Sequence, residues 1–352
     1  MSIVKFSEVA HRAYTREDRF NTEKIYYVGG EHIDSCELYV TKKGVIKGST
    51  IGPMFYCGFT AGQILFVTRN PHLKKCSIAD FDGICSEKTF VIETKDESIL
   101  TQEYLAIIMQ SDDFWNYCEE NKSGGVNYFL NWSTLADYEF ELPPIKQQLE
   151  IAQKVMSAYR LKQSYKKLLD ATREMVKSQF IEMFKGDNQV PLGDICNIEK
   201  GATITRNDVL PGEVPVVAGG QEPSCYHNVA NREAGAITVS ASGAYAGYIN
   251  FWNCPIFASD CNTIISKDDE KTDQTFVYFG LRAMQKQIYG LQKGGAQPHE
   301  YGKDLQKFMF PCPSYAKQIE FSKMAKQADK SEFELRKSIE AIDQVIKSLI
   351  NN

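Results

Sequence analysis

Ala61-Gly62-Gln63-Ile64-Leu65-Phe66-Val67 returns as Ala234-Gly235-Ala236-Ile237-Thr238-Val239, 173 residues further along the chain. Ser86-Glu87-Lys88-Thr89-Phe90-Val91-Ile92 returns at the same offset as Ser259-Asp260-Cys261-Asn262-Thr263-Ile264-Ile265. Further on, Lys122-Ser123-Gly124-Gly125 returns as Gln292-Lys293-Gly294-Gly295 and Gln147-Gln148 as Lys317-Gln318, both near an offset of 170. Two units this long are not a solenoid, which needs three or more short repeats to bury a core. The pattern predicts a duplicated domain, and a molecule with two similar halves suits a target that also comes in two halves.

Each copy has two parts. The runs Ile64-Leu65-Phe66-Val67 and Phe90-Val91-Ile92, with Ile237-Thr238-Val239 and Thr263-Ile264-Ile265, are strand-length and bounded by turn formers. Helical stretches are expected near Gln102 to Glu120 and Gln274 to Gln292, giving a mixed α/β domain. Proline stops follow at Leu142-Pro143-Pro144 and Phe310-Pro311-Cys312-Pro313. After the first, no glycine or proline appears until Gly186; after the second, none appears to residue 352. Two long helices are therefore expected, roughly 145–185 and 314–350. At about 1.5 Å per residue each spans about 55–60 Å, and proline is tolerated where such helices start. The second shows a heptad of Phe321, Met324, Ala328, Ser331, Leu335, Ser338, Ile342, Val345 and Leu349. The first is less regular: Leu149, Ala152, Met156 and Tyr159, then a phase break to Leu161, Tyr165, Leu168, Thr172 and Met175. The expectation is a coiled-coil pair with these stripes as its core.

Composition narrows the class. At 352 residues and 43% hydrophobic content the chain suits two ordinary globular domains. No window approaches the ~18 consecutive apolar residues of a membrane span, and Met1 to Ala10 lacks the apolar run of a signal peptide. Ten scattered cysteines without Cys-x-x-Cys spacing read as reduced, mostly core residues of a cytoplasmic protein, with no structural metal. The net charge of −5 is unevenly spread. Residues 144–185 hold 9 Lys+Arg against 4 Asp+Glu, while residues 1–143 hold 14 against 21. Phosphate contact is expected from that basic segment and from local loops; the plain alternative is a solvated helix face.

Val190-Pro191-Leu192-Gly193-Asp194-Ile195, followed by Ile198-Glu199-Lys200-Gly201-Ala202-Thr203, is similar to the opening of a target-recognition domain. Ile3-Val4-Lys5-Phe6-Ser7-Glu8-Val9 is a looser match. Ala234 to Val239, then Ser242-Gly243 and Ala246-Gly247-Tyr248, resembles a Gly-Asp-Ile-Leu strand and its glycine turn. Lys293-Gly294-Gly295-Ala296-Gln297-Pro298, with Leu305 before the proline stop, and Pro143-Pro144-Ile145-Lys146-Gln147-Gln148 resemble the approach to a spacer helix. In this order, twice, these patterns resemble the specificity subunit of Type I restriction–modification enzymes. The resemblance implies two similar globular target-recognition domains, 1–143 and 186–312, separated by two long antiparallel coiled-coil helices, 144–185 and 313–352. It implies a non-catalytic subunit that reads a bipartite sequence in double-stranded DNA, the helices setting the gap between half-sites. It also implies partners: two methyltransferase subunits carrying S-adenosylmethionine, and restriction subunits using ATP and Mg. No cofactor is expected in this chain.

Catalytic signatures are missing. No Asn/Asp-Pro-Pro-Tyr/Phe motif and no Gly-x-x-x-x-Gly-Lys-Ser/Thr phosphate loop occurs. The five histidines show no paired ligand spacing, and His32 and His227 read as turn or hydrogen-bonding residues. Candidate DNA contacts lie in three loops. His11 to Phe20 holds Arg12, Arg16 and Arg19 among aromatics, and arginine pairs bidentately with guanine or phosphate. Lys122, Ser123, Asn127 and Tyr128 surround two glycines, where backbone approaches a ligand closely and Asn can read adenine. Lys293, Gln297 and His299 form the copy of that loop, and Lys200, Thr203 and Arg206 are candidates for phosphate contact. Each loop also reads as a plain connection. Three rival readings stay open on the residues alone: a recognition subunit of another DNA methylation or defence system, an autonomous hydrolase or transferase, and a scaffold binding only proteins.

Overall fold

The computed structural model describes residues 2–291 and 302–351. The chain divides into two compact units, Met1–Tyr165 with Ser338–Asn352 (unit 1) and Lys166–Lys337 (unit 2).

The repeated stretch becomes the same device in both. In unit 1, Ile64–Val67 lies inside an antiparallel four-stranded sheet ordered Ala10–Arg12, Thr89–Thr94, Ile64–Val67, Cys76–Ile78. In unit 2, Ala236–Ser240 holds that place in the order Cys196–Lys200, Cys261–Ser266, Ala236–Ser240, Ile249–Trp252. All four residues of Ile64–Val67 are buried, so both sheet faces are covered and the run reads as continuously apolar. Gly62 and Gly235 precede these strands at φ +95° and +90°, a left-handed turn that a side chain would strain. The turned carbonyls accept hydrogen bonds from Gln102 Nε2 (3.1 Å) and Gln274 Nε2 (3.0 Å). The same amides donate to Ile92 O and Ile264 O, and accept from the N–H groups of Thr94 and Ser266.

The expected 102–120 helix is two helices, Gln102–Ile108 and Asp112–Glu120. Ser111 starts the second, its hydroxyl accepting from Phe114 N–H at 3.2 Å. In unit 2 the counterpart is Gln274–Ala283 and Gln285–Tyr289, and Gln292 lies outside the described residues. Unit 1 adds a five-stranded sheet ordered Thr15–Arg16, Phe55–Phe59, Gly83–Ser86, Tyr26–Val28, Gly44–Val45. Unit 2 has a three-stranded one, Cys225–His227, Val214–Val217, Phe257–Ala258.

The long helices are Ile145–Met183 and Tyr315–Asn351. A buried glutamine anchors the start of each. Gln148 donates to Ile99 O (2.8 Å) and Pro143 O (2.9 Å) and accepts from Thr101 N–H (3.1 Å). Gln318 repeats the set with Lys271 O, Pro313 O and Asp273 N–H. Within each unit the helix segments run antiparallel. Ala152, Val155 and Tyr159 share the unit 1 core with Ile346, Leu349 and Ile350. Val176, Phe180 and Phe184 share the unit 2 core with Phe321, Ala325 and Ala328.

The stripe expected on the first helix is out of phase beyond Tyr159. Leu161, Leu168 and Met175 are 46, 51 and 46% exposed, while Lys162, Leu169 and Val176 are buried. The seam continues without a phase break because charged side chains occupy it: Lys162 meets Asp343 at 2.7 Å in unit 1, and Arg173 meets Glu332 at 2.9 Å in unit 2. A rule that follows only apolar residues picks the neighbouring leucine row. Leu149 is likewise exposed rather than core. On the second helix Phe321 and Ala328 are buried as expected, but Ser331 and Val345 are exposed and Glu332 is buried beside Ser331.

Candidate nucleic-acid interface

In unit 1, arginine spacing becomes a set of cation–aromatic contacts. The Arg12 guanidinium sits 4.5 Å from the Phe90 ring centroid and 5.3 Å from Tyr14. Arg16, on the strand paired with Phe55–Phe59, sits 5.1 Å from the Tyr56 ring. Tyr56 donates its hydroxyl to Glu87 at 2.9 Å, and that hydrogen bond raises the phenol's pKa. Arg19 lies over Phe20 at 4.3 Å, with its Nε buried and without a partner among the described residues. Both guanidiniums act on Cys57: hydrogen bonding with Cys85 is the main cause that lowers that thiol's pKa, burial opposes it, and the charges of Arg12 and Arg16 add to the lowering. Such stacking holds a guanidinium in place while leaving its N–H edge to a phosphate or base.

The second candidate loop is a tight hairpin. Ser123 and Phe129 exchange backbone hydrogen bonds of 2.8 and 2.9 Å, and Gly124 turns at φ +98°. Asn127 and Val126 are exposed at its tip, Val126 to 93%. Lys122 is half-buried, ion-paired with Glu119, and 4.3 Å from the Tyr128 ring. Asn127 is thus available to a ligand and Lys122 is partly engaged. Asn70 N–H donates to Tyr128 O at 2.9 Å, and Arg69 lies 5.0 Å from the Phe129 ring. Sequence reasoning missed Arg69, although Thr68-Arg69-Asn70 directly follows the repeated strand. It also missed Lys43, 3.9 Å from the Tyr26 ring and 4.1 Å from Phe81.

In unit 2, Lys200 ends the strand Cys196–Lys200 and is exposed. Its carbonyl accepts from Arg232, which also pairs with Glu199 at 3.0 Å and donates to Thr263 at 2.9 Å. Thr203 and Arg206 are exposed in the following segment. There Asp208 accepts from the Thr205 hydroxyl at 2.6 Å and from its N–H at 3.1 Å, which lowers the carboxyl pKa. Lys293, Gln297 and His299 lie outside the described residues. His32 and His227 act as hydrogen-bonding residues, accepting from Gly29 N–H at 2.9 Å and Leu210 N–H at 3.0 Å, the second from the end of the strand Cys225–His227. Among the described residues no cluster of metal-binding side chains occurs, and no helix is long and apolar enough to cross a membrane.

Residues 186–344 match the family described as the Type I restriction modification DNA specificity domain. The chain is also similar to the Type I restriction enzyme EcoDI specificity subunit of Escherichia coli, 26% identical over 133 residues, covering 37% of this chain and 29% of that protein. That match spans under a third of the relative's length. The fold is similar over 99% of this chain to a crystallised Type I restriction–modification S subunit from M. genitalium: 94% of that chain, 14% identity, TM-score 0.65. A second solved chain, from work on complex assembly and conformational transition of the type I R-M system, matches over 99% of this chain and 96% of its own, with 18% identity and TM-score 0.57. The resemblance to Type I specificity subunits and the expected fold class are borne out.

Proposed function

We propose that this protein is the sequence-specific DNA-recognition subunit of a Type I restriction–modification complex, reading one half-site of a bipartite target with each unit. The observation that carries this reading is the twice-built sheet. The same strand order, turned glycine and glutamine clamp recur within a chain whose residues 186–344 match a DNA specificity domain. Residues 1–143 and 186–312 are the proposed recognition domains, with 144–185 and 313–352 as spacer helices. The Arg12, Arg16 and Arg19 surface, the Asn127 hairpin, and Lys200, Thr203 and Arg206 are the proposed contacts. Phosphate contacts position the protein and base contacts specify sequence.

Two methyltransferase subunits and restriction subunits are the proposed partners, in the cytoplasm. S-adenosylmethionine, ATP and Mg belong to those partners, and this chain carries no chemistry of its own. The exposed apolar row Leu161, Leu168 and Met175, one residue per heptad, supports partner docking on the first helix. Methylome sequencing of cells with and without the gene tests the reading: one bipartite adenine-methylated motif disappears on deletion. An unchanged methylome overturns it. Replacing residues 1–143 by another recognition domain changes one half-site only, and a change in both halves contradicts one half-site per unit.

A further inference from the structure

Cys57 and Cys85 stand directly opposite each other on the neighbouring antiparallel strands Phe55–Phe59 and Gly83–Ser86. A bulge between Phe55 and Cys57 leaves Tyr56 outside the register and Cys57 in it. Both are free thiols, 1 and 0% exposed, in one core cluster of unit 1. Directly opposed antiparallel residues stand about 4.5–5.5 Å apart at Cα. A disulfide spans about 4.4–6.8 Å between Cα atoms. The two sulfurs are therefore within reach of a bond without displacing either strand.

Packing does not call for sulfur at these positions. The pairing of Phe59 with Gly83 returns, 173 residues on, as the bridge between Arg232 and Ile256. At that offset Cys57 and Cys85 become Ala230 and Ala258, so a small side chain fills each place. Electrostatics also single out this pair. The hydrogen bond from Cys85 lowers the Cys57 pKa, and the charges of Arg12 and Arg16 add to that against burial. The same hydrogen bond, and then burial, raise the pKa of Cys85, which keeps its proton. Burial pushes the thiols of Cys76 and Cys118 up instead. One sulfur of the pair is thus a nucleophile and the other a resolving partner. On its other side Cys57 faces Arg16, in the two-residue edge strand Thr15–Arg16, both of whose residues are exposed. A brief opening of so short an edge admits a molecule little larger than water.

We infer that Cys57 and Cys85 form a modification site, a dithiol that hydrogen peroxide converts to a cross-strand disulfide. The Cys57 sulfur attacks one peroxide oxygen: S–O forms, O–O breaks, and the Cys57 proton ends on the departing oxygen as water. The Cys85 sulfur then attacks the sulfenic sulfur: S–S forms, S–O breaks, and the Cys85 proton leaves with that oxygen as a second water. Two thiols are oxidised while one peroxide is reduced to two waters, and a dithiol reductant reverses the bond. The inference stands apart from the DNA-recognition reading, because it uses only the strand register and the thiols.

The test treats the reduced full-length protein with hydrogen peroxide, alkylates the remaining thiols, and maps tryptic peptides by mass spectrometry. Peptides 48–69 and 76–88 are expected to appear joined, with fragmentation placing the bond between Cys57 and Cys85. Dithiothreitol is expected to separate them. Loss of free Cys57 is expected to outrun loss of free Cys118 by about tenfold. Cys85→Ala, which copies the residue at 258, is expected to leave Cys57 as a sulfenic acid that dimedone labels. Cys36 and Cys254, both exposed, report that the dose sufficed. Cys57 still free once those two are oxidised, or Cys57 joined mainly to a cysteine other than Cys85, overturns the inference. The wild-type map decides this even where the variant does not fold. Absence of duplex binding would defeat the DNA reading and leave this one standing.

Discussion

Units 1 and 2 close their helix pairs with charges that the duplication inverts. By the repeat, Lys162 of the first long helix corresponds to Glu332 of the second, and Arg173 to Asp343. Yet both ion pairs put the base on the first helix and the acid on the second: Lys162 with Asp343, Arg173 with Glu332. Cores and hydrogen-bond clamps kept the symmetry of the two copies and the helix seam lost it. The difference teaches which contacts stabilise and which choose a partner. A first helix meeting another copy of itself in this register would set Lys162 against Arg173, and two second helices would set Glu332 against Asp343. Charges inside a coiled-coil seam select pairing in this way.

The largest expected effect probes the aromatic contacts of Phe184 with Phe276 and Phe321 in the unit 2 core. Phe184→Ala should cost unit 2 about 3–5 kcal/mol, the usual loss for a buried phenylalanine. Ile350→Ala, at a partly buried position, should cost unit 1 about 1 kcal/mol. Hydrogen exchange resolved by unit measures both, and equal losses would break the contrast. Next come the glutamine anchors. Gln148→Leu and Gln318→Leu each strand two carbonyls and one N–H, so each should lose roughly 3 kcal/mol in its own unit. A large inequality in urea unfolding would show that the clamps are not equivalent.

The seam pairs should separate the units more gently. Lys162→Met removes the cation that Asp343 and the mostly buried Glu37 share, for a loss of roughly 2 kcal/mol. Arg173→Met should lose about 1 kcal/mol, because that arginine is 35% exposed and better screened. Burial pulls the Lys162 pKa down, but Asp343 and Glu37 outweigh it and the net direction is up from 10.5. Its contribution is therefore complete below the unfolded lysine value and fades as pH rises through the folded one. The gap between wild type and Lys162→Met should hold at neutral pH and shrink only in strong alkali; a gap that shrinks near pH 8 would contradict this assignment. The DNA term is read by binding rather than by stability. Arg16→Ala should weaken duplex binding roughly tenfold and Arg206→Ala roughly threefold, about 1.4 and 0.6 kcal/mol. Fluorescence anisotropy at fixed salt decides the ranking, and the reverse order would mean that stacking on Tyr56 does not preposition the guanidinium.

The duplication, the strands at 64–67 and 237–239, and the long helices were legible because each rests on local chemistry: a glycine turn before a doubly buried strand, and a stretch free of glycine and proline. The seam phase after Tyr159 was not, since Lys162 and Arg173 occupy positions that an apolar search skips. The five-stranded sheet was also hidden. Its strands run two to five residues, and Tyr26–Val28 pairs in parallel with Gly83–Ser86, far along the chain. Among the candidate contacts the arginine cluster was readable as composition, but its geometry was not: Arg16 finds Tyr56 across forty residues.

The buried glutamines carry a mechanical consequence. Gln148 and Gln318 rivet the first turn of each long helix to the cap of a short helix, which is in turn pinned to the central sheet through Gln102 or Gln274. With no loose joint along that path, a tilt imposed on the sheet by a bound ligand is passed to the base of the helix as leverage rather than absorbed as slack.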